Sequence, residues 1–277
     1  MKRMKKKIEP RGLVLPLILL LAVALIYYWY NWRGRGEEAE EPAETVEEQR
    51  EVLPGEIRLT YLGHSAFLLE TSSKRILMDP YAPEVGYGEL SLEVDIVTVS
   101  HEHLDHNYAG AGQGNPEILR GLSPGTLQWQ EVDYSTEDGI RIYTVGSYHD
   151  QEKGRYRGRN AIFVVEAEEM RIVHLGDLGH LLEEDQVEEL TPVDILLLPV
   201  GGHYTIGPSE ASQVVEQLEP RAVIPMHYRT EKTEAWPIKE LNNFLSGQSG
   251  MKYAGRKAVT IKKDKLPEIR EIWPLAP

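Results

Sequence analysis

The sequence of 277 residues contains no cysteine. The chain therefore has no disulfides, no cysteine nucleophile and no thiolate metal ligands. It also lacks the G-x-S-x-G pattern that exposes a nucleophilic serine on a strand-to-helix turn. Apolar residues make up 41% of the chain, which is enough for a sizeable core and excludes wholesale disorder.

Positive charge is scarce in most of the chain, whose net charge is −14. Residues 1–36 carry eight Lys and Arg against one acidic residue, and residues 37–51 carry eight Glu against one Arg. These two charges of +7 and −7 cancel, so residues 52–277 hold the whole −14. Affinity for nucleic acid comes mainly from Lys and Arg contacts to phosphate. We therefore expect no nucleic-acid partner.

Residues 12–32 are uncharged and predict a transmembrane anchor. About twenty helical residues span the roughly 30 Å hydrocarbon core of a bilayer. Five aromatic residues between positions 27 and 32, with two Arg beyond them, suit the headgroup region. A cleaved signal peptide is the alternative, but bulky aromatics stand where a small-residue cleavage site belongs. Six basic residues precede the run and two follow it, which predicts a cytoplasmic N-terminus (1–11) and an extracytoplasmic body.

The segment 33–52 is rich in Glu and predicts an extended, self-repelling linker. Residues 53–277 then form the predicted catalytic domain, in which short apolar runs are separated by turns. Early strands followed by strands that alternate with helices indicate a layered α/β body. The predicted strands are 57–62, 66–70, 75–79, 94–100, 140–145, 161–166, 171–175, 195–200, 222–226 and 257–262, and the predicted helices are 183–190, 209–218 and 238–245.

A cluster of metal-ligand residue types follows the apolar strand 94–100. The sequence there is His101-Glu102-His103-Leu104-Asp105-His106. Alternate residues His101 and His103 on an extended turn are able to aim two imidazoles at one metal, while Asp105 and His106 face a second metal nearby. Nitrogen and oxygen ligands of this kind suit Zn²⁺, Mn²⁺ or Fe²⁺.

Three further polar residues stand just past the ends of other predicted strands: His149, Asp177 and His227. Ligands in open α/β sheets bind outside the carboxyl ends of the strands. With the four residues of the cluster, these make seven ligands, enough for two ions that share one bridging carboxylate.

At these residues the sequence resembles the metallo-β-lactamase superfamily, and more closely its L-ascorbate-6-phosphate lactonase-like (UlaG-like) branch of metal-dependent hydrolases. N-acylphosphatidylethanolamine phospholipase D is similar at a greater distance. The resemblance covers about residues 56–262 and implies a four-layer αβ/βα sandwich with metals at its edge. The segments that carry it are YLGHSAFLLE (61–70), ILMDPY (76–81), VSHEHLDH (99–106), HLGDLGH (174–180), LLLPVGGHYTIGPSEA (196–211) and IPMHY (224–228).

The resemblance implies a division of the ligands between two divalent ions, for which Zn²⁺ is the first expectation and Mn²⁺ or Fe²⁺ the alternatives. Asp79 matches a position that orients a ligand rather than one that binds metal. The implied sets are His101, His103 and His149 for one ion, Asp105, His106 and His227 for the other, and Asp177 as the bridge.

The expected activity is hydrolysis of an ester, lactone or phosphodiester bond by a water that two metal ions activate. For the proton transfer we expect Asp105, with His203 as a possible assistant. The role of His64 is left open. One alternative is a lipid phosphodiesterase, in which loops 81–92 and 108–129 form an acyl groove. The other alternative is a metal-binding or sensing protein with little turnover.

Overall fold

The computed structural model describes residues 51–277. The predicted anchor at 12–32 and most of the predicted linker lie outside these residues. Within residues 51–277, no helix is both long enough and apolar enough to cross a membrane. The N-terminal anchor therefore stays a prediction.

The first sheet begins with the predicted antiparallel meander of three strands, which the structure confirms. Two further strands then join the meander in parallel, and a late strand closes the other edge antiparallel to the first. In the described residues the strand order is β14-β1-β2-β3-β5-β7. The strands are β1 (Glu56–Gly63), β2 (Ala66–Glu70), β3 (Arg75–Met78), β5 (Ile96–Val99), β7 (Glu117–Arg120) and β14 (Ala258–Lys262).

The second sheet contains one antiparallel half and one parallel half, in the order β15-β13-β12-β11-β10-β9-β8 over the described residues. Strands β11, β12, β13 and β15 run parallel, so their carboxyl ends meet at one edge. The strands are β8 (Asp133–Ser135), β9 (Arg141–Tyr148), β10 (Arg159–Ala167), β11 (Met170–His174), β12 (Ile195–Pro199), β13 (Ala222–Met226) and β15 (Glu271–Ile272). A short parallel pair, β4 (Leu92–Glu93) with β6 (Gly112–Gln113), lies apart from both sheets.

The main core lies between the two sheets, where alternate residues of the first sheet meet strands that are buried along their whole length. Burial of this kind explains why β12 and β13 are continuous apolar runs. Helices α1 (Glu184–Leu190), α2 (Pro208–Leu218) and α3 (Asn242–Leu245) follow in the second half. The buried residues of α2 have the spacing of one helix face, and they are Ala211, Val214, Val215 and Leu218.

The resemblance implies a layer of helices over the first sheet, and this expectation is wrong for the described residues. Within residues 51–277, no α-helix precedes Glu184. The outer face of this sheet, with Leu77 and Val97, packs instead beneath Ala109 and Ala111 of a loop. Residues 80–116 contain five Gly and three Pro, which disfavour helix and allow only short 3₁₀ turns.

The predicted helix 238–245 is also shorter than expected, since α3 begins at Asn242. The backbone of Lys239 is engaged elsewhere: its N–H donates to the carbonyl of Gly201, and its carbonyl accepts from the N–H of Arg229. These bonds to the loops after β12 and β13 replace the intrahelical bonds of a first turn.

Candidate metal centre

Loops at the carboxyl ends of four strands bring the predicted ligands together. The cluster 101–106 follows β5, His149 follows β9 directly, Asp177 is the third residue after β11, and His227 follows β13 directly. Because β11 and β13 belong to the parallel half of their sheet, Asp177 and His227 leave it at the same edge. His227 has a left-handed backbone with φ of 52°, an uncommon conformation that turns the chain sharply there.

His101, His103 and His149 form one group, in which ligand-type atoms of all three side chains lie within 4.8 Å of one another. Nε2 of His101 lies 3.0 Å from Nδ1 of His103. Oδ2 of Asp177 lies 3.0 Å from Nε2 of His149 and 3.9 Å from Nε2 of His101. Asp177 therefore borders this group with one carboxylate oxygen.

Asp105, His106 and His227 form a second group, and His64 completes it within the same 4.8 Å limit. Asp177 borders this group as well: its Oδ1 lies 3.2 Å from Nε2 of His106, and its Oδ2 lies 3.4 Å from Nε2 of His227. The carboxylate of Asp177 thus touches both groups, which is the position that a bridging ligand needs.

The hydrogen bonding of these buried atoms fits a metal site. Oδ1 of Asp177, Nε2 of His106 and both ring nitrogens of His227 are buried without a hydrogen-bond partner. Buried polar atoms in folded proteins are almost always hydrogen-bonded, so four such atoms in one place require an explanation. A divalent cation would satisfy Oδ1 of Asp177, Nε2 of His106 and one ring nitrogen of His227, because an imidazole offers only one of its nitrogens to an ion. This donor set suits Zn²⁺ and similar ions.

The protonation states of His101, His103 and Asp177 also favour metal binding. His106 differs: burial works to lower its pKa, but the neighbouring Asp177 and Asp105 outweigh burial and hold that pKa well above its ordinary value. Burial, and then the neighbouring His106, hold the pKa of His101 well below its ordinary value. Burial and the neighbouring His149 likewise lower the pKa of His103. Burial works to raise the pKa of Asp177, but the surrounding imidazoles outweigh it and hold that pKa well below its ordinary range. Neutral imidazoles and an ionised carboxylate are the ligating forms.

Hydrogen bonds behind the site fix the tautomers of two histidines. Asp79 accepts from the backbone N–H of Ser100 at 2.8 Å, from the Ser100 hydroxyl at 2.5 Å, and from Nδ1–H of His106 at 2.8 Å. The Ser100 hydroxyl in turn lies 2.9 Å from Nδ1 of His101. With Nδ1 of each ring engaged in this way, Nε2 of His101 and of His106 is the nitrogen that faces the site and would bind a metal.

His149 is oriented in the same manner, because its Nδ1 donates to the backbone carbonyl of Tyr204 at 3.1 Å. His64, whose role the sequence leaves open, lies in the site. Its Nε2 is 3.0 Å from Oδ2 of Asp105, and burial with the nearby His227 lowers its pKa to about 4. The sequence signal was a histidine in the turn between two strands, which does not by itself tell a structural role from a functional one.

A cavity of about 570 Å³ opens over the site. Asp105 and Asp177 line it, whereas His203 is exposed in a left-handed turn and is not among its lining residues. The loops 81–92 and 108–129, expected as an acyl groove, contribute no lining residue, so that expectation is wrong for this cavity. The lining residues are His103, Leu104, Asp105, His149, Tyr156, Arg157, Asp177, Tyr204, Ala235, Trp236 and Pro237.

Known proteins are similar to this chain in sequence and in fold. The family described as the beta-lactamase superfamily domain matches residues 58–227, more than half of the chain. A "UPF0173 metal-dependent hydrolase" of Thermococcus onnurineus is 34% identical over 207 residues, which cover 65% of this chain and 86% of that protein.

Solved structures agree with this match. A Thermotoga maritima protein described as a Zn-dependent hydrolase of the metallo-β-lactamase superfamily is 32% identical, with a TM-score of 0.62 over 79% of this chain and 98% of that chain. A metallo hydrolase of Ignicoccus hospitalis, 23% identical, shares the fold with a TM-score of 0.55 over 75% of this chain and 99% of its own. The chain therefore belongs to the beta-lactamase superfamily, among the metal-dependent hydrolases of the metallo-β-lactamase fold.

Proposed function

We propose that this hydrolase uses two divalent ions and an activated water to cleave an ester, lactone or phosphodiester bond. The observation that carries the proposal is the position of Asp177, whose two carboxylate oxygens contact imidazoles of both histidine groups. A closed structural site needs neither a second group of ligands nor a cavity above it. The cavity gives a substrate access to Asp105 and Asp177.

Each ion is assigned one histidine group, with Zn²⁺ as the first expectation and Mn²⁺ or Fe²⁺ as alternatives. Ions held there would supply an acidified water near neutral pH and would polarise the carbonyl or phosphoryl oxygen under attack. The proposed ligands are His101, His103 and His149 for one ion, Asp105, His106 and His227 for the other, and Asp177 for both.

The residues of the chain hold these ligands and move the proton. Asp79 keeps His106 in the ligating tautomer through the bond to its Nδ1–H. Nε2–H of His64 donates to Oδ2 of Asp105, which orients that carboxylate at the floor of the cavity. We assign the proton transfer to the leaving group to Asp105. The exposed position of His203 gives no support to the role expected for it.

The proposal includes a single-pass anchor at residues 12–32 with the catalytic domain outside the cytoplasm. Support for this comes from the uncharged run, its aromatic flank and the excess of basic residues before it. The substrate in this location is a small molecule or a lipid. The net charge of −14 on residues 52–277 disfavours a nucleic acid.

The experiment that tests this function is a substrate screen with the full chain, purified in detergent and loaded with Zn²⁺ or Mn²⁺. The panel contains 4-nitrophenyl esters, γ- and δ-lactones, bis(4-nitrophenyl) phosphate and glycerophospholipids. We expect turnover of at least one class, lost after chelation and restored by the metal. Metal-loaded protein that turns over no member of the panel would instead favour the metal-binding or sensing alternative.

A further inference from the structure

A loop beside the site is held in one conformation by a single carboxylate. Asp150 follows the proposed ligand His149 and accepts four backbone N–H bonds from the loop 152–157. Oδ1 of Asp150 accepts from Glu152 at 2.8 Å and Gly154 at 2.9 Å. Oδ2 accepts from Tyr156 at 2.9 Å and Arg157 at 2.7 Å. The last two residues of this loop line the cavity.

Arg157 is the lining residue that has no charged partner. Its side chain is half-buried, and within residues 51–277 its guanidinium forms no ion pair or hydrogen bond with the protein. The guanidinium lies near the ring of Tyr204, whose centroid is 5.7 Å from the guanidinium carbon. Other arginines of this domain, such as Arg120 and Arg171, are paired with carboxylates at 2.8 and 2.6 Å.

Arg157 has no carboxylate partner although the domain is acidic, a feature that it shares with the partly buried Arg159, whose guanidinium lies over the ring of Trp129. Residues 52–277 carry a net charge of −14, so carboxylates for pairing are abundant. Removing a charge from water without a partner is unfavourable, and a guanidinium is well shaped to bind a carboxylate or phosphate through two parallel hydrogen bonds. The position of Arg157 on the cavity wall therefore points to a partner that arrives with the ligand.

The rest of the wall is largely apolar and aromatic. Tyr156, Tyr204 and Trp236 line the cavity together with Leu104 and Pro237. Tyr156 and Leu104 are 70% and 59% exposed, which leaves them free to cover a ligand. Such walls bury an apolar or aromatic body, while one charged group fixes its orientation.

We propose that Arg157 binds a carboxylate or phosphate group of the substrate, at a position other than the bond that is cleaved. The substrate class is thus an anionic ester, lactone or phosphodiester with an apolar or aromatic body. Arg157 determines specificity, and Asp150 is a positioning residue that holds the loop. The inference rests on the proposed function, which it makes more specific.

The first test measures binding to the metal-loaded full chain by calorimetry. The probes are benzoate, phenyl phosphate and the neutral benzamide, and the variants are Arg157→Gln and the control Arg155→Gln. Arg155 is an exposed arginine of the same loop that does not line the cavity. We expect Arg157→Gln to weaken at least one of the two anions about 10-fold or more and to leave benzamide within twofold. The anion that loses more identifies the group.

The second test measures hydrolysis of 4-nitrophenyl acetate and of the anionic 4-nitrophenyl hydrogen succinate. Arg157→Gln should raise the KM of the succinate ester about 10-fold and leave the KM of the acetate ester unchanged, while Arg155→Gln changes neither. Asp150→Asn should also raise the KM of the succinate ester, since it loosens the loop that carries Arg157.

Failures of the two proposals are distinguishable. Anion binding that depends on Arg157, without hydrolysis of any ester, lactone, phosphodiester or phospholipid of the panel, would overturn the proposed function and keep the anion site. Hydrolysis by Arg157→Gln with unchanged KM for both esters, or wild-type protein that binds the anions no better than benzamide, would overturn the anion site and keep the hydrolase.

Discussion

Replacement of Asp79 by asparagine tests how the ligands are held, because Asp79 lies behind the site and touches His106 on the side away from Asp177. Its carboxylate accepts three hydrogen bonds and is only 1% exposed. Asparagine keeps one acceptor oxygen. If that oxygen continues to serve the Ser100 N–H, the new amide NH₂ faces the Ser100 hydroxyl and Nδ1–H of His106.

The Ser100 hydroxyl is able to rotate and accept from the amide, whereas Nδ1–H of His106 would face the amide NH₂, donor against donor. His106 avoids this contact if its proton is on Nε2 instead of Nδ1, and Nε2 is the atom that faces Asp177. A proton there blocks the ligating lone pair. Loss of such an orienting partner typically lowers metal affinity about 10- to 100-fold, which corresponds to about 1.4–2.7 kcal/mol.

The assay is competition between the protein and a chromogenic chelator for Zn²⁺, with unfolding of the metal-free protein measured in parallel. Asp194→Asn is the matched control, since Asp194 is also buried and accepts from the backbone N–H of Arg171 and from Lys263. It precedes β12, at the end of the strand opposite to the site. We expect both variants to lose stability and only Asp79→Asn to lose metal affinity. Equal affinity in Asp79→Asn and wild type would refute the assignment of His106 as an oriented ligand.

Three further predictions concern other parts of the chain. Asp177→Ala should abolish hydrolysis and keep the fold, because both proposed ions lose a ligand. Asp185→Ala, at an exposed position, is its control. Near-native turnover by Asp177→Ala would show that Asp177 is not the bridge. Asp150→Asn loses two of four N–H bonds and should destabilise the domain by about 2 kcal/mol near pH 7 in denaturant titrations. Burial works to raise the pKa of Asp150, but the loop N–H groups outweigh burial and lower it. The stabilisation that the Asp150 carboxylate gives the folded domain is therefore present above about pH 4 and is lost as pH falls through the lower folded pKa. A difference in unfolding free energy between wild type and Asp150→Asn that stays constant down to about pH 2 would contradict this. Protease added to intact spheroplasts should remove the catalytic domain. Cleavage only after lysis would show that the domain lies in the cytoplasm. A soluble domain lacking residues 1–36 would identify a signal peptide.

The sequence predicts those parts of the fold that local pattern determines. In strands β1 to β3, apolar residues alternate with polar ones or form short runs between clear turns. Strands β12 and β13 are uninterrupted apolar runs. The pattern of apolar residues therefore predicts the positions of all five strands. The predicted metal ligands follow the carboxyl ends of β5 in the first sheet and of β9, β11 and β13 in the second, as expected for ligand sites in open α/β sheets.

Other features depend on contacts between distant segments. The loops that cover the first sheet, the role of His64 beside Asp105, and the exposure of His203 are all set by tertiary packing. Arg157 is one of several arginines in the sequence, and only the fold of its loop around Asp150 places it at the cavity. No periodicity or spacing reports such an arrangement.

Metal content tests most directly whether two metal ions share Asp177. Elemental analysis of the full chain, purified in the presence of excess Zn²⁺ and then desalted, should give two ions per chain. His149→Ala and His227→Ala should each retain about one ion, since each removes a ligand from a different group. A wild-type content near zero or one, or variants that keep the wild-type content, would contradict the two-ion centre.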